Sequence, residues 1–267
     1  MNIISQILHD KRQSSSCALI PFITAGFPNL SLTIEALYTL DNQGADLIEL
    51  GIPYADALAD GPLIQKSSSI ALKQGVYIDQ VLYILNCVSS NLNAPIIIFS
   101  YYNPILVRGI ERFIYEISVA GAKGLIVPDL PLEETDELIS YCLSYKIELI
   151  LFIAPTSSYD RISKILSKSP GCLYLVSSTG VTGIRSDINQ KLNGLSEYIK
   201  SKSDKLVMLG FGISNTQQAA EVSKWNIDGV VMGSAFINIL SNNNLSDSDI
   251  MTELGSFCHS IKNSINS

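Results

Sequence analysis

The chain has 267 residues, 47% hydrophobic and 16% charged, enough to bury one large core and within the range usual for α/β barrels. A net charge of −7 and an isoelectric point near 4.8 leave no basic stripe to neutralise a phosphate backbone, which excludes nucleic acid as a natural partner. No apolar run approaches bilayer length, no basic n-region with an apolar stretch opens the chain, and no linker composition divides it, so the expectation is one soluble domain over residues 1–267, without membrane contact.

In chain order, residues 2–11 read as a leading helix with Ile3, Ile4, Ile7 and Leu8 on one face, placed to plug the bottom of a barrel. Eight short apolar runs follow, at 18–25, 46–52, 95–101, 124–129, 148–154, 173–178, 205–211 and 229–232, each the length of a buried strand. The segments between them carry helical periodicity, for example Leu30, Ile34, Leu37 and Leu40, or Ile78, Val81, Leu82 and Leu85. A last helix is expected over 247–265, with Met251, Leu254, Cys258 and Ile261 at helical spacing. Strands that alternate with helices pair in parallel through right-handed crossovers, and eight such units suggest closure into a barrel. An open doubly wound sheet stays as the alternative, because periodicity does not give strand order. Gly44-Ala-Asp-Leu-Ile, Gly121-Ala-Lys-Gly-Leu-Ile and Asn226-Ile-Asp-Gly-Val-Val repeat a passage from helix end into strand, with Gly44 and Gly121 as C-caps.

Cys17, Cys87, Cys142, Cys172 and Cys258 are an odd number, widely spread and without C-x-x-C spacing, so buried reduced thiols in the cytoplasm, or in a plastid stroma if the chain is organelle-encoded, are expected. His9 and His259 fall in the terminal helices, away from strand ends, and no metal-binding or nucleophile motif appears. The chemistry therefore rests on carboxylates and glycines. In the second strand, alternation puts Ile48, Leu50 and Ile52 on one face and Leu47, Glu49 and Gly51 on the other. The all-apolar face belongs against helices, so Glu49 points into the barrel near the carboxyl end of its strand, where barrel enzymes carry catalytic groups. Desolvation there would raise its pKa toward neutrality and suit it to proton transfer; a structural ion pair with a buried cation is the competing reading. The strand runs into a long loop, 52–61, holding Asp56 and Asp60, and Asp60-Gly61-Pro62 also fits a helix start with Asp60 as N-cap. Gly212 after strand seven, and Gly233 with Ser234 after strand eight, occupy the usual phosphate pocket of barrels, where backbone amides hold the anion. A third glycine-rich loop, 177–183, is placed to close over a ligand.

Taken in order, these motifs resemble one family, the tryptophan synthase alpha chains. The likeness is carried by Leu-Ile-Glu-Leu-Gly-Ile-Pro-Tyr-Ala-Asp-Ala-Leu-Ala-Asp-Gly-Pro-Leu-Ile-Gln at 47–65, Pro-Phe-Ile-Thr-Ala-Gly at 21–26 and Ser-Tyr-Tyr-Asn at 100–103, and by 127–131, 177–183, 210–214 and 232–234. It implies a (β/α)8 barrel with an extra N-terminal helix, and retro-aldol cleavage of indole-3-glycerol phosphate to indole and glyceraldehyde 3-phosphate. By the same resemblance Glu49 is the acid/base at indole C3, and Asp60 stabilises charge at the indole nitrogen. Gly183, Gly212, Gly233 and Ser234 bind phosphate, Thr182 belongs to the closing loop, and Phe22, Tyr101, Tyr174 and Phe211 lie beside the indole. No metal or organic cofactor is implied; pyridoxal phosphate is expected only on a beta subunit, in an αββα assembly that Asp56 faces. The family usually has Ser or Thr at position 55 and commonly Pro at 57, where this chain has Ala55 and Ala57. Two other readings share some of these features: a different phosphate-binding barrel enzyme, and a non-catalytic barrel that only activates a beta subunit.

Overall fold

A computed structural model describes residues 2–176, 185–210 and 212–266. Its eight strands are β1 (Ala18–Thr24), β2 (Ile48–Gly51), β3 (Ile96–Phe99), β4 (Gly124–Ile126), β5 (Glu148–Ile153), β6 (Leu173–Val176), β7 (Val207–Gly210) and β8 (Gly229–Met232). Each is parallel to the next and β8 is parallel to β1, with Ala18 opposite Gly229, so the sheet is a closed barrel and the open alternative falls away. The helices are α1 (Ile3–Gln13), α2 (Leu30–Asn42), α3 (Pro62–Lys73), α4 (Ile78–Val88), α5 (Tyr102–Arg108), α6 (Ile110–Val119), α7 (Thr135–Ser144), α8 (Tyr159–Lys168), α9 (Arg185–Lys202), α10 (Thr216–Val222), α11 (Ser234–Leu240) and α12 (Asp247–Ile265). None of the described helices is long and apolar enough to cross a membrane.

Strands β1, β2, β3, β4, β5 and β7 are shorter than the apolar runs that announced them, whereas β8 coincides with its run at 229–232. The run at 124–129 stops pairing at Ile126, because Pro128 has no N–H to offer a ladder. Both sides of the sheet are covered, as an all-parallel sheet requires, and the two faces form separate cores. Leu47, Ile97, Ile126, Ile150, Met208 and Val231 fill the barrel interior, whereas Ile48, Leu50, Ile98, Leu125 and Leu151 face the helices. Alternation with period two is therefore obeyed in every strand that supplies both sets.

Helix α1 closes the bottom: Ile4 and Leu8 belong to the interior core. Ser5 ties the plug in place, donating from its backbone N–H and its hydroxyl to the buried Glu148 carboxylate, which also accepts from the Cys172 N–H at 2.8 Å. Two further carboxylates brace the same end. Asp228 takes a two-pronged contact from Arg12 at 2.7 and 2.9 Å, the Lys200 ammonium and the Val207 N–H. Asp46 takes Lys11 at 2.8 Å, Lys262, and the Leu19 N–H. Gly44 and Gly121 have φ of +94° and +109° just past helix ends, with Ala45 N–H returning to Leu40 O and Ala122 N–H to Ile117 O, the bonding of a glycine C-cap. All five thiols are free; Cys17, Cys142, Cys172 and Cys258 are buried, and Cys87 is half-buried. Burial pushes the Cys142 and Cys258 thiols up to about 12, which leaves them inert.

Candidate active site

Glu49 sits in β2 with Phe22 of β1 and Ile97 of β3 as its cross-strand neighbours. Its inward orientation follows from the pleat: Ile48 and Leu50 occupy the helix side and leave Glu49 the interior. The residue is 1% exposed and its Oε1 has no hydrogen-bond partner among the described residues, nor does any ion pair there include it. Among the described residues no cation is paired with it, as the competing structural reading would require. Burial first, and then the charge of Asp60, push the Glu49 carboxyl up to about 8.

Asp60 comes from the loop between β2 and α3. The cap reading of this residue is corrected: the N-cap of α3 is Gly61, with Pro62 in the first helical turn and no side-chain capping bond. The Asp60 carboxylate is instead engaged across the barrel mouth, where its Oδ2 accepts the Tyr101 hydroxyl proton at 3.0 Å. Burial raises Asp60 to about 6, and the Tyr101 hydrogen bond opposes that rise. Tyr101 in turn accepts the Ala59 N–H at 3.0 Å, and burial beside Asp60 keeps its phenol protonated and a donor. Near neutral pH the two carboxyls thus hold opposite protonation states, Asp60 ionised and Glu49 neutral.

Phe22 in β1, Tyr174 in β6 and Tyr101 just past β3 are all buried. Two glycines make room for them. A Cβ on Gly51 would lie 2.6 Å from Phe22 Cζ, and one on Gly210 would lie 2.2 Å from the Tyr174 hydroxyl. Three aromatics join this wall that the sequence reading missed. Phe99 contacts both Phe22 and Tyr101 edge to face at 5.7 and 6.1 Å, Phe152 lies 4.9 Å from Tyr174, and Tyr54 lies 5.2 Å from Tyr101. Phe99 and Phe152 were within reach of the alternation rule, since they follow Ile97 and Ile150 by two positions on the inward face.

At the ends of the last two strands, Gly212 is exposed after β7, Gly233 is the N-cap of α11 and Ser234 is its exposed first residue. Gly233 packs close to the Phe22 ring and to Ile64 of α3, which brings this end of the barrel against the aromatic wall. Gly183, Thr182 and Phe211, with the loop at 177–183, lie outside the described residues. Asp56 is exposed on the loop after β2, beside Leu58, which is 89% exposed at the loop tip.

The barrel thus brings together a buried carboxyl pushed up to about 8, a second carboxyl hydrogen-bonded by a tyrosine and a set of aromatic side chains, with Gly233 packed against one of those rings. A family model described as tryptophan synthase alpha chain matches residues 8–266. Tryptophan synthase alpha chains from Antithamnion sp. and from Gracilaria tenuistipitata var. liui are 63% and 59% identical, over 98% and 99% of this chain and 98% and 97% of theirs. The crystal structure of tryptophan synthase subunit alpha from Legionella pneumophila str. Paris superposes with a TM-score of 0.89 at 32% identity, covering 99% of this chain and 98% of that one. The chain belongs to the tryptophan synthase alpha chain family, lyases that cleave indole-3-glycerol phosphate to indole and glyceraldehyde 3-phosphate in tryptophan biosynthesis.

Proposed function

We propose that Glu49 and Asp60 are the catalytic pair of this lyase, working within a single barrel domain. Neutral Glu49 protonates C3 of the indole ring, and the electron-poor ring so formed weakens the bond from C3 to the glycerol carbon. The side-chain hydroxyl on that carbon gives its proton to the Glu49 carboxylate. The C–C bond breaks, its electron pair returns to the ring to restore indole, and the hydroxyl carbon leaves as the aldehyde of glyceraldehyde 3-phosphate. Ionised Asp60 stabilises the positive charge at the ring nitrogen while C3 is protonated. Phe22, Tyr101, Tyr174 and Phe211 flank the ring, and Gly183, Gly212, Gly233 and Ser234 hold the phosphate under a closing loop that includes Thr182. The reaction runs on proton transfer and needs neither metal nor organic cofactor.

The observation that carries this reading is Glu49 itself, a buried carboxyl whose Oε1 has no partner among the described residues and whose cross-strand neighbours are Phe22 and Ile97. A buried polar atom left unpaired costs stability, and the sites where proteins keep such atoms are disproportionately functional. We further read Asp56 and Leu58, exposed together on the loop after β2, as facing a beta subunit that carries pyridoxal phosphate in an αββα assembly. The red-algal relatives favour a plastid stroma over the cytoplasm as the compartment.

The test is turnover of indole-3-glycerol phosphate by the purified chain, alone and with a beta subunit. Glu49→Gln keeps the shape of the side chain and removes the transferable proton, so the rate should fall by about 10²- to 10⁴-fold in both assays. A rate equal to the parent's would remove Glu49 from the mechanism, and a parent chain without turnover of its own would be an activator only.

A further inference from the structure

Asp60 rides on a four-residue turn, Ala57-Leu58-Ala59-Asp60, closed by the Asp60 N–H on the Ala57 carbonyl at 3.1 Å. Its tip is open to solvent at Leu58, and three of its four residues carry methyl or isobutyl side chains with no polar group to hold the turn in place. A turn of this kind, standing over a catalytic mouth, needs bracing from outside to keep a carboxylate within hydrogen-bond geometry. One brace is the Tyr101 hydroxyl from β3, between the Ala59 N–H and the Asp60 carboxylate. The other comes from α3. The Gln65 side-chain amide donates one hydrogen to the Ala57 carbonyl at 3.1 Å and one to the Asp60 carbonyl at 2.9 Å, so a single NH₂ group spans both ends of the turn. The helix that carries Gln65 is itself fixed to the barrel, because Ser67 two residues on shares a buried 2.6 Å hydrogen bond with Thr24 of β1.

We propose that Gln65 is a positioning residue for the lyase reaction, holding the turn so that Asp60 meets Tyr101 and presents its carboxylate to the ring nitrogen. This inference rests on the catalytic assignment of Asp60 made above. Gln65 does not reach the reacting atoms; it acts through the backbone of the turn, and its effect is transmitted by where Asp60 sits. No other described residue spans both turn carbonyls from a side chain.

The experiment compares Gln65→Met, Tyr101→Phe, the double variant and Asp60→Asn, each assayed with a beta subunit across pH. Methionine matches glutamine in length, favours helix and lacks both donors, and the position is on the surface, so the variant should fold with parent-like urea unfolding. With its two hydrogen bonds to the turn lost, Gln65→Met should lower kcat by about 5- to 30-fold. The acid limb of its pH–rate profile should move to higher pH, as in Tyr101→Phe, because either change weakens the hydrogen bond that holds Asp60 down. In the Tyr101→Phe background, adding Gln65→Met should cost less than about 2-fold more and move the limb no further, since both braces serve one turn. A parent-like kcat, an acid limb that stays in place, or full additivity in the double variant would each overturn the role of Gln65. If Asp60→Asn retained parent activity, the catalytic reading itself would fail; if Asp60→Asn were inactive and Gln65→Met were not impaired, only the positioning inference would fail.

Discussion

Glu49→Gln should shift the stability of the free chain relative to the parent increasingly in the variant's favour as pH rises, while it cuts turnover by about 10²- to 10⁴-fold. The Glu49 carboxyl titrates at about 8 in the folded protein against an ordinary 4.5. The folded state therefore holds a proton that the unfolded state releases, and between those values folding must take one up. The group's contribution is complete below 4.5, declines as pH rises through the window, and is flat above 8. At about 1.36 kcal/mol per unit, the decline between pH 5 and pH 8 is roughly 3 kcal/mol. No discount for solvent screening applies, because the side chain is 1% exposed. Glutamine does not titrate. Its buried amide carries a fixed penalty, which shifts the stability of the variant equally at every pH. The difference between variant and parent in urea unfolding, measured at pH 5, 6, 7 and 8 without a beta subunit, should thus grow in favour of the variant by roughly 3 kcal/mol. A difference that stays constant over this range would mean that Glu49 ionises near its ordinary value, and the dry proton donor would not exist.

Three further outcomes follow from the same geometry. The pH profile of kcat/KM should be bell-shaped, rising through about 6 as Asp60 ionises and falling through about 8 as Glu49 loses its proton; a profile flat between 5 and 9 would contradict both assignments. Gly51→Ala should raise KM by about 10-fold or more, because its Cβ would fall 2.6 Å from Phe22 Cζ and drive that ring into the slot, and substrate titration reads this directly. Asp228→Asn should lower stability by about 3 kcal/mol in urea unfolding, since it leaves Arg12 and Lys200 facing a neutral amide, while KM stays at the parent value because the residue lies at the amino-terminal end of the barrel.

What the sequence discloses here is what period and spacing can carry. Ile48, Leu50 and Ile52 mark the helix face of β2, and the inward aim of Glu49 follows from them without coordinates. The same rule, applied to β3 and β5, points to Phe99 and Phe152. Local pattern cannot pair residues far apart in the chain. Nothing near Asp60 in sequence announces Tyr101, 41 residues on, so the Asp-Gly-Pro string read as a helix cap when its carboxylate was already taken. Barrel closure itself depends on Ala18 meeting Gly229, and the clasps on Asp46 and Asp228 draw on residues more than 200 positions away. Such contacts come from the closed topology, and periodicity is silent about them.

Three buried carboxylates, Glu49, Glu148 and Asp228, and the half-buried Asp46 show how this barrel divides stability from chemistry. Asp46 and Asp228 each hold two cations and a backbone N–H, and Glu148 holds three hydrogen bonds from Ser5 and Cys172. All three lie at the amino-terminal end, and each is met by donors, as burial of charge demands. Glu49 is at least as buried, yet one of its oxygens meets no donor among the described residues, and it feels the charge of Asp60 from the loop that follows the carboxyl end of β2. If stability alone shaped the core, an apolar side chain such as those of Leu47 and Ile97 around it would serve that position better. The unpaired oxygen is intelligible once a substrate ring is to lie against it, because a carboxyl already bonded to a neighbour would have neither a proton to give nor room to receive one. Pairing at one end of the barrel offsets the strain of an unpaired group at the other, and Glu49→Leu should accordingly stabilise the fold and end the reaction together.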